Sequence, residues 1–109
     1  MKIKELKLYN KFKYINVSNK EFIYIGNGDN NYFYWFIYKN NNYNISFSLL
    51  KRYGFDPDKI VKELNLETGF DVYGNKYIKG YCFTFYSKQQ IEKYVKPLLK
   101  DKLNNIINR

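Results

Sequence analysis

At 109 residues, with 45% hydrophobic and 21% aromatic side chains, the chain has the size and apolar content of a single domain over residues 1–109, and general disorder is excluded. It carries a formal charge of +9 but no histidine and one cysteine, Cys82, which excludes imidazole bases, histidine triads, Cys/His zinc centres and an internal disulfide. The longest apolar or aromatic run, Tyr32–Tyr38, is far below the roughly 20 residues that span a bilayer, and no secretory-signal pattern is present, so a cytoplasmic location is expected.

Met1 to Tyr9 reads as a strand, and Phe12 to Val17 as a second in which Phe12, Tyr14 and Asn16 alternate with Lys13, Ile15 and Val17. Ser18-Asn19-Lys20 is the predicted turn after it. Glu21 to Gly26 and Tyr32 to Lys39 are rich in β-branched and aromatic residues, and the intervening Asn27-Gly28-Asp29-Asn30-Asn31 tolerates positive φ, which predicts a hairpin. A further turn at Asn40-Asn41-Asn42 leads into Tyr43 to Ile45, completing an antiparallel meander. The period then changes. Ser46 caps a short helix through Tyr53 that Gly54 stops, and Asp56-Pro57 opens another that runs to about Asn65 and buries Ile60, Val61 and Leu64. Phe70 to Tyr73 and Tyr77 to Tyr86 form a second hairpin around Gly74-Asn75, with Tyr77, Lys79, Tyr81, Phe83 and Phe85 sharing a face. Finally, Ser87 and Gln90 make a capping box. The apolar stripe Ile91, Tyr94, Val95, Leu98, Leu99, Leu103, Ile106 and Ile107 predicts an amphipathic helix, kinked or divided at Pro97. The sum is an α+β fold: an antiparallel sheet from an N-terminal meander plus a later hairpin, two short central helices and a long amphipathic C-terminal helix.

Lysine outnumbers arginine 17 to 2, and alanine is absent while Asn, Ile, Tyr, Phe and Lys abound, all of them encoded by AT-rich codons. Composition thus points to a low-GC genome, such as a phage or other mobile element, and accounts for part of the charge. Placement is more informative. Residues 1–20 carry six basic and one acidic group, residues 87–109 six and two, and residues 21–86 seven of each, so the excess sits at the two ends. If those ends meet in the fold, Lys2, Lys4, Lys7, Lys11 and Lys13 would join Lys88, Lys93, Lys96 and Lys100 in one basic surface for phosphates or an acidic partner.

Candidate chemistry is sparse. Cys82 lies mid-strand with no base beside it in sequence and is expected to be a structural thiol. Asp56 and Asp58, followed by Glu63, Glu67 and Asp71, are the residue types that hold magnesium in nucleases, but Asp56 reads as a helix cap, Asp58 as complementing its dipole, and Glu63 sits one turn after Lys59 on a solvated face. No metal or cofactor is expected. The alternating rings Tyr32, Tyr34, Phe36, Tyr38 and Phe33, Trp35, Ile37 give both faces of one strand an aromatic surface, and at Tyr34, Trp35, Tyr38 or Tyr81 this could stack bases. The alternative is ordinary core.

Tyr14-Ile15 and Tyr24-Ile25-Gly26 resemble the paired strand motif of the GIY-YIG nucleases over a short stretch. Lys13 stands where that motif has its first glycine and no arginine-bearing helix follows Gly26, so no catalytic residue carries over. The expected function is therefore non-enzymatic: an inhibitor or modulator that occupies a host nucleic-acid-handling machine, as anti-CRISPR or anti-restriction proteins do. Direct DNA or RNA binding is the alternative, and a magnesium nuclease a third reading. The expected partner is a host protein or nucleoprotein complex, not a membrane.

Overall fold

The structure, a computed structural model, describes residues 1–98. Its strands are β1 (Lys11–Tyr14), β2 (Val17–Gly26), β3 (Phe33–Ser46), β4 (Thr68–Phe70), β5 (Lys76–Ser87) and β6 (Val95–Pro97), and its helices α1 (Phe47–Arg52), α2 (Pro57–Leu64) and α3 (Lys88–Tyr94). All six strands join one sheet of order β4-β5-β3-β2-β1-β6, and every neighbouring pair is antiparallel.

The local signals that held are those with a defined hydrogen-bonding mechanism. In the β2–β3 connection, Asn30 Oδ1 accepts from the backbone N–H groups of Tyr32 and Phe33 at 2.8 and 2.7 Å. Ser46 Oγ accepts from Leu49 N at 3.1 Å to start α1, and Asp56 Oδ1 accepts from Lys59 N at 3.3 Å to start α2, with Pro57 in its first turn. The Ser46 and Asp56 bonds each satisfy a backbone donor that a helix start leaves without an internal partner.

Among the described residues the expected long amphipathic C-terminal helix does not form. The capping box at Ser87 and Gln90 forms as expected, but α3 stops at Tyr94 and the chain extends into β6. Pro97 explains the stop: it has no N–H to give to Lys93, its ring would clash with that carbonyl, and it biases the residue before it towards extended backbone. Val95 and Leu98 are still buried, now from a strand and the residue beyond it. A proline is tolerated here because β6 is the last strand of the sheet. Leu99, Lys100, Leu103, Ile106 and Ile107 lie outside the described residues.

Four other expectations are corrected. Met1–Tyr9 is not a strand; Ile3–Glu5 forms a 3-10 turn in which Glu5 Oε2 accepts from Lys2 N at 2.8 Å. Ile3 and Leu6, one such turn apart, both pack on the sheet. The predicted turn at Ser18-Asn19-Lys20 is instead at Ile15-Asn16, so that Tyr14 faces Val17 and β2 starts early. Asn40-Asn41-Asn42 does not end β3 but bulges within it: Lys39 pairs with Tyr81 and Asn44 with Lys79, five steps on one strand against two on the other. Lastly, Gly80 at φ +75° resets the alternation of β5, so that Ile78 joins Tyr81 and Phe83 in the same core cluster.

Both faces of the sheet are covered. One packs Ile23, Ile25, Trp35, Ile37, Ile45 and Ile78 under Phe47 and Leu50 of α1 and Ile60 of α2. The other packs Phe12, Phe22, Tyr24 and Phe36 under the 3-10 turn and Ile91 of α3, with Val95 of β6 alongside.

Candidate nucleic-acid interface

The β1–β6 pairing brings a lysine of the N-terminal segment opposite one of the C-terminal segment. Its register sets Phe12 against Pro97, Lys13 against Lys96 and Tyr14 against Val95. The amino terminus also donates to Glu92 O at 3.2 Å, tying the first residue to α3. Because Phe12, Tyr14 and Val95 point into the aromatic cluster, Lys11, Lys13 and Lys96 point to the opposite face. Two like charges placed directly across a strand pair destabilise it. An anion bridging Lys13 and Lys96 would remove that cost.

Next to this pair lies a groove of about 280 Å³, lined by Lys11, Asn19, Lys20, Glu21, Ile23, Lys39 and Tyr81. No residue of α1 or α2 lines it, so the groove occupies sheet surface the helices leave open. Lys11 and Lys39 face one glutamate there, while Lys20, in phase with Phe22 and Tyr24, lines only its edge. Lys11 and Glu21 approach to 3.7 Å with both side chains about half exposed, a geometry worth little in water. Lys39 Nζ stands 5.5 Å from the centre of the Tyr81 ring in the groove, whereas Lys20 Nζ stands 4.6 Å from that of Tyr38, on the aromatic-cluster side of the sheet. Burial, followed by the Cys82 thiol across the strand pair, raises the Tyr38 pKa above the usual phenol value, so this ring stays neutral beside its lysine.

The remaining residues expected to form the site are scattered. Lys2, Lys4 and Lys7 are exposed on the N-terminal segment, Lys88 and Lys93 on α3, and Lys100 lies outside the described residues. Of the aromatic candidates, Trp35 is core on the α1/α2 side, while Tyr34 and Tyr38 are half-buried against the aromatic cluster. Tyr81 alone lines the basic groove. Lys20 and Lys39 were not expected as site residues. Lys20 sat in a predicted turn, and Lys39 becomes a neighbour of Lys11 only through the strand order.

Asp56 and Asp58 take the cap and first-turn roles the sequence suggested, while the pairing of Glu67 was not expected. Asp56 caps α2, Asp58 lies in its first turn, and Glu67 pairs with Lys79 at 3.4 Å. Among the described residues no three His, Cys, Asp or Glu side chains gather as a metal site would require, and no helix is long and apolar enough to cross a membrane. The short likeness to the nuclease strand pair ends at Gly26, where the chain turns into β3. No protein-family model, curated protein or solved structure matches this chain.

Proposed function

We propose that this is a non-catalytic binding protein that grips nucleic acid by its phosphates and, by occupying it, modulates a nucleic-acid-handling machine of its host. The observation that supports the reading is the Lys13–Lys96 register, which sets one lysine from each basic segment side by side on the face that also carries the Lys11 and Lys39 groove. Lysines on a shallow, open surface suit a polyanion contacted at several phosphates, because each contact is weak and their sum is large. At about 280 Å³ the groove is smaller than the roughly 300–1,000 Å³ of sites that enclose a small metabolite.

The test is binding to single- and double-stranded DNA and RNA oligonucleotides at low and at physiological salt. Binding should weaken steeply with salt, and reversing both charges in Lys13→Glu/Lys96→Glu should lower the salt slope by about two. Absence of binding at low salt, or binding indifferent to the double reversal, would overturn the reading.

One observation favours a protein partner instead, as an inhibitor of a CRISPR effector or restriction enzyme would need. The β4–β5 turn presents Val72 at 92% and Tyr73 at 87% exposure beside Phe70, and it is locked by Asp71, whose Oδ1 accepts from Tyr73 N and Asn75 N at 2.8 and 2.9 Å. Large apolar groups held rigidly in solvent are a feature of protein contact sites. Salt-tolerant capture of one host protein, lost on Val72→Ser/Tyr73→Ser, would move the function to this turn.

A further inference from the structure

A second concavity, separate from the basic groove, lies where the start of β3 meets the end of α1. It is a cleft of about 430 Å³, lined by Phe33, Trp35, Tyr53 and Phe85 with Asp29, Asn30 and Arg52. That volume is within the roughly 300–1,000 Å³ of sites that hold small planar molecules. The rings are mutually packed: Phe33 and Phe85 have centroids 4.6 Å apart, and Trp35 lies 4.9 Å from both Tyr53 and Phe85. Yet Phe33, Tyr53 and Phe85 each remain at least 40% exposed, so stacking surface is left open to solvent.

The walls are fixed before any ligand arrives. Asp29 N donates to Tyr53 O at 3.0 Å, tying the β2–β3 loop to the end of α1. The two segments pass so closely at Gly54, φ +88°, that a Cβ there would come within 1.9 Å of Asp29 Oδ1. Asn30 spends its side chain inside the loop, donating to Asn27 O and accepting from Tyr32 and Phe33. Arg52 and Asp29 are different: neither enters an ion pair among the described residues, which leaves one strong donor and one strong acceptor at the cleft. The Trp35 Nε1 donor is buried with no hydrogen-bond partner, the one such side-chain atom among the described residues.

We propose that this cleft accepts an unstacked nucleobase, making the protein a binder of single strands; the inference rests on the phosphate-gripping function proposed above. The ring faces supply stacking that every base can use. Arg52 and Asp29 match the mixed donor and acceptor edge that a base carries. An aliphatic anchor from a protein would leave both charges unanswered. Paired bases cannot enter, since their faces are stacked and their edges engaged within the duplex.

Trp35 is the sole tryptophan, so its emission reports on the cleft directly. Three probes separate the two proposals: a mixed-sequence single strand, an abasic deoxyribose-phosphate strand of equal length, and a blunt duplex. The base-bearing strand should quench Trp35 and bind about 10-fold tighter than the abasic strand. Arg52→Gln should reduce that margin while leaving abasic binding and thermal stability near wild type, and Phe85→Ala should reduce it at a temperature where the variant is folded, with abasic binding kept. Equal affinity for the two strands with unchanged emission overturns the base-binding cleft and leaves the lysine surface standing. If no strand binds, the lysine surface fails, and free mononucleotides then decide the cleft: saturable quenching upholds it as a base site, and none overturns it. Emission that responds to an aromatic peptide and to no nucleotide assigns the cleft to a protein partner and equally overturns the proposal.

Discussion

The two faces of the sheet are both buried, but with different material. The face under α1 and α2 is mainly aliphatic, with Ile23, Ile25, Ile37, Ile45, Leu50, Ile60 and Ile78 around Trp35 and Phe47. The face under the 3-10 turn and α3 is mainly aromatic: Phe36 is fully buried, with Tyr24, Tyr86, Phe12 and Phe22 at centroid distances of 5.4, 5.6, 6.3 and 6.5 Å. The coverings differ as well. α1 and α2 are central elements with strong caps, whereas the aromatic face is closed by the two ends of the chain. The same arrangement that closes this core also assembles the basic surface, so on that side core and candidate site are built by one pairing, β1 with β6.

That comparison is tested most severely in the cores. Phe36→Ala should cost about 3–5 kcal/mol and Leu50→Ala about 2–5 kcal/mol in denaturant unfolding, because each leaves a cavity at a fully buried position. A Phe36→Ala cost below about 1 kcal/mol would mean that the chain ends do not seal the aromatic face.

Alkaline titration separates the faces next. Burial, with Tyr34 adding, pushes the Tyr24 phenol up to about 12; burial, with Tyr14 and Tyr38 adding, pushes Tyr86 up to about 12 as well. Both belong to the aromatic side. A phenol whose folded value is raised holds its proton longer in the native state, so its contribution is intact below pH 10 and is lost as pH climbs from about 10 to about 12. Melting temperature should therefore fall across that window, and Tyr86→Phe should blunt the fall. An unchanged profile in the variant would show that Tyr86 is not the group being held neutral.

The smallest effect is also the most diagnostic. Lys13→Glu replaces a like-charge pair with an attractive one opposite Lys96, and should raise stability by about 0.2–1 kcal/mol while weakening nucleic-acid binding. Thermal melts and binding assays on the one variant would show both changes. Loss of stability would mean that the two lysines do not face each other.

Much of the helix-bearing side was legible in the sequence. Ser46, Asp56-Pro57 and the loop Asn27–Asn31 each act over three or four residues, where a side chain either satisfies a backbone N–H or admits a positive φ, and the structure places turns and helix starts there. The charge segregation at the chain ends was legible too, along with the condition that would make it one surface. Less could be read of the clefts. Arg52 and Asp29 are far apart in sequence and line one cleft because Gly54 lets the α1 end pass close to the β2–β3 loop.

Sequence by itself determined the antiparallel strand chemistry, the short central helices, the capping box at Ser87 and the absence of any histidine- or cysteine-cluster chemistry. Up to Leu98, Pro97 and the tertiary structure together decided that the apolar stripe leaves the helix after Tyr94. Through Leu98 its residues fit a helical period as well as a buried edge, and Pro97 together with an open position beside β1 made the strand the better burial. Tertiary structure also decided the phase of β5, because the backbone at Gly80 exchanges the faces of every residue beyond it while the alternating pattern on either side looks unbroken. Periodicity reports what a segment could bury; which partner it buries against is fixed by strands distant in the chain.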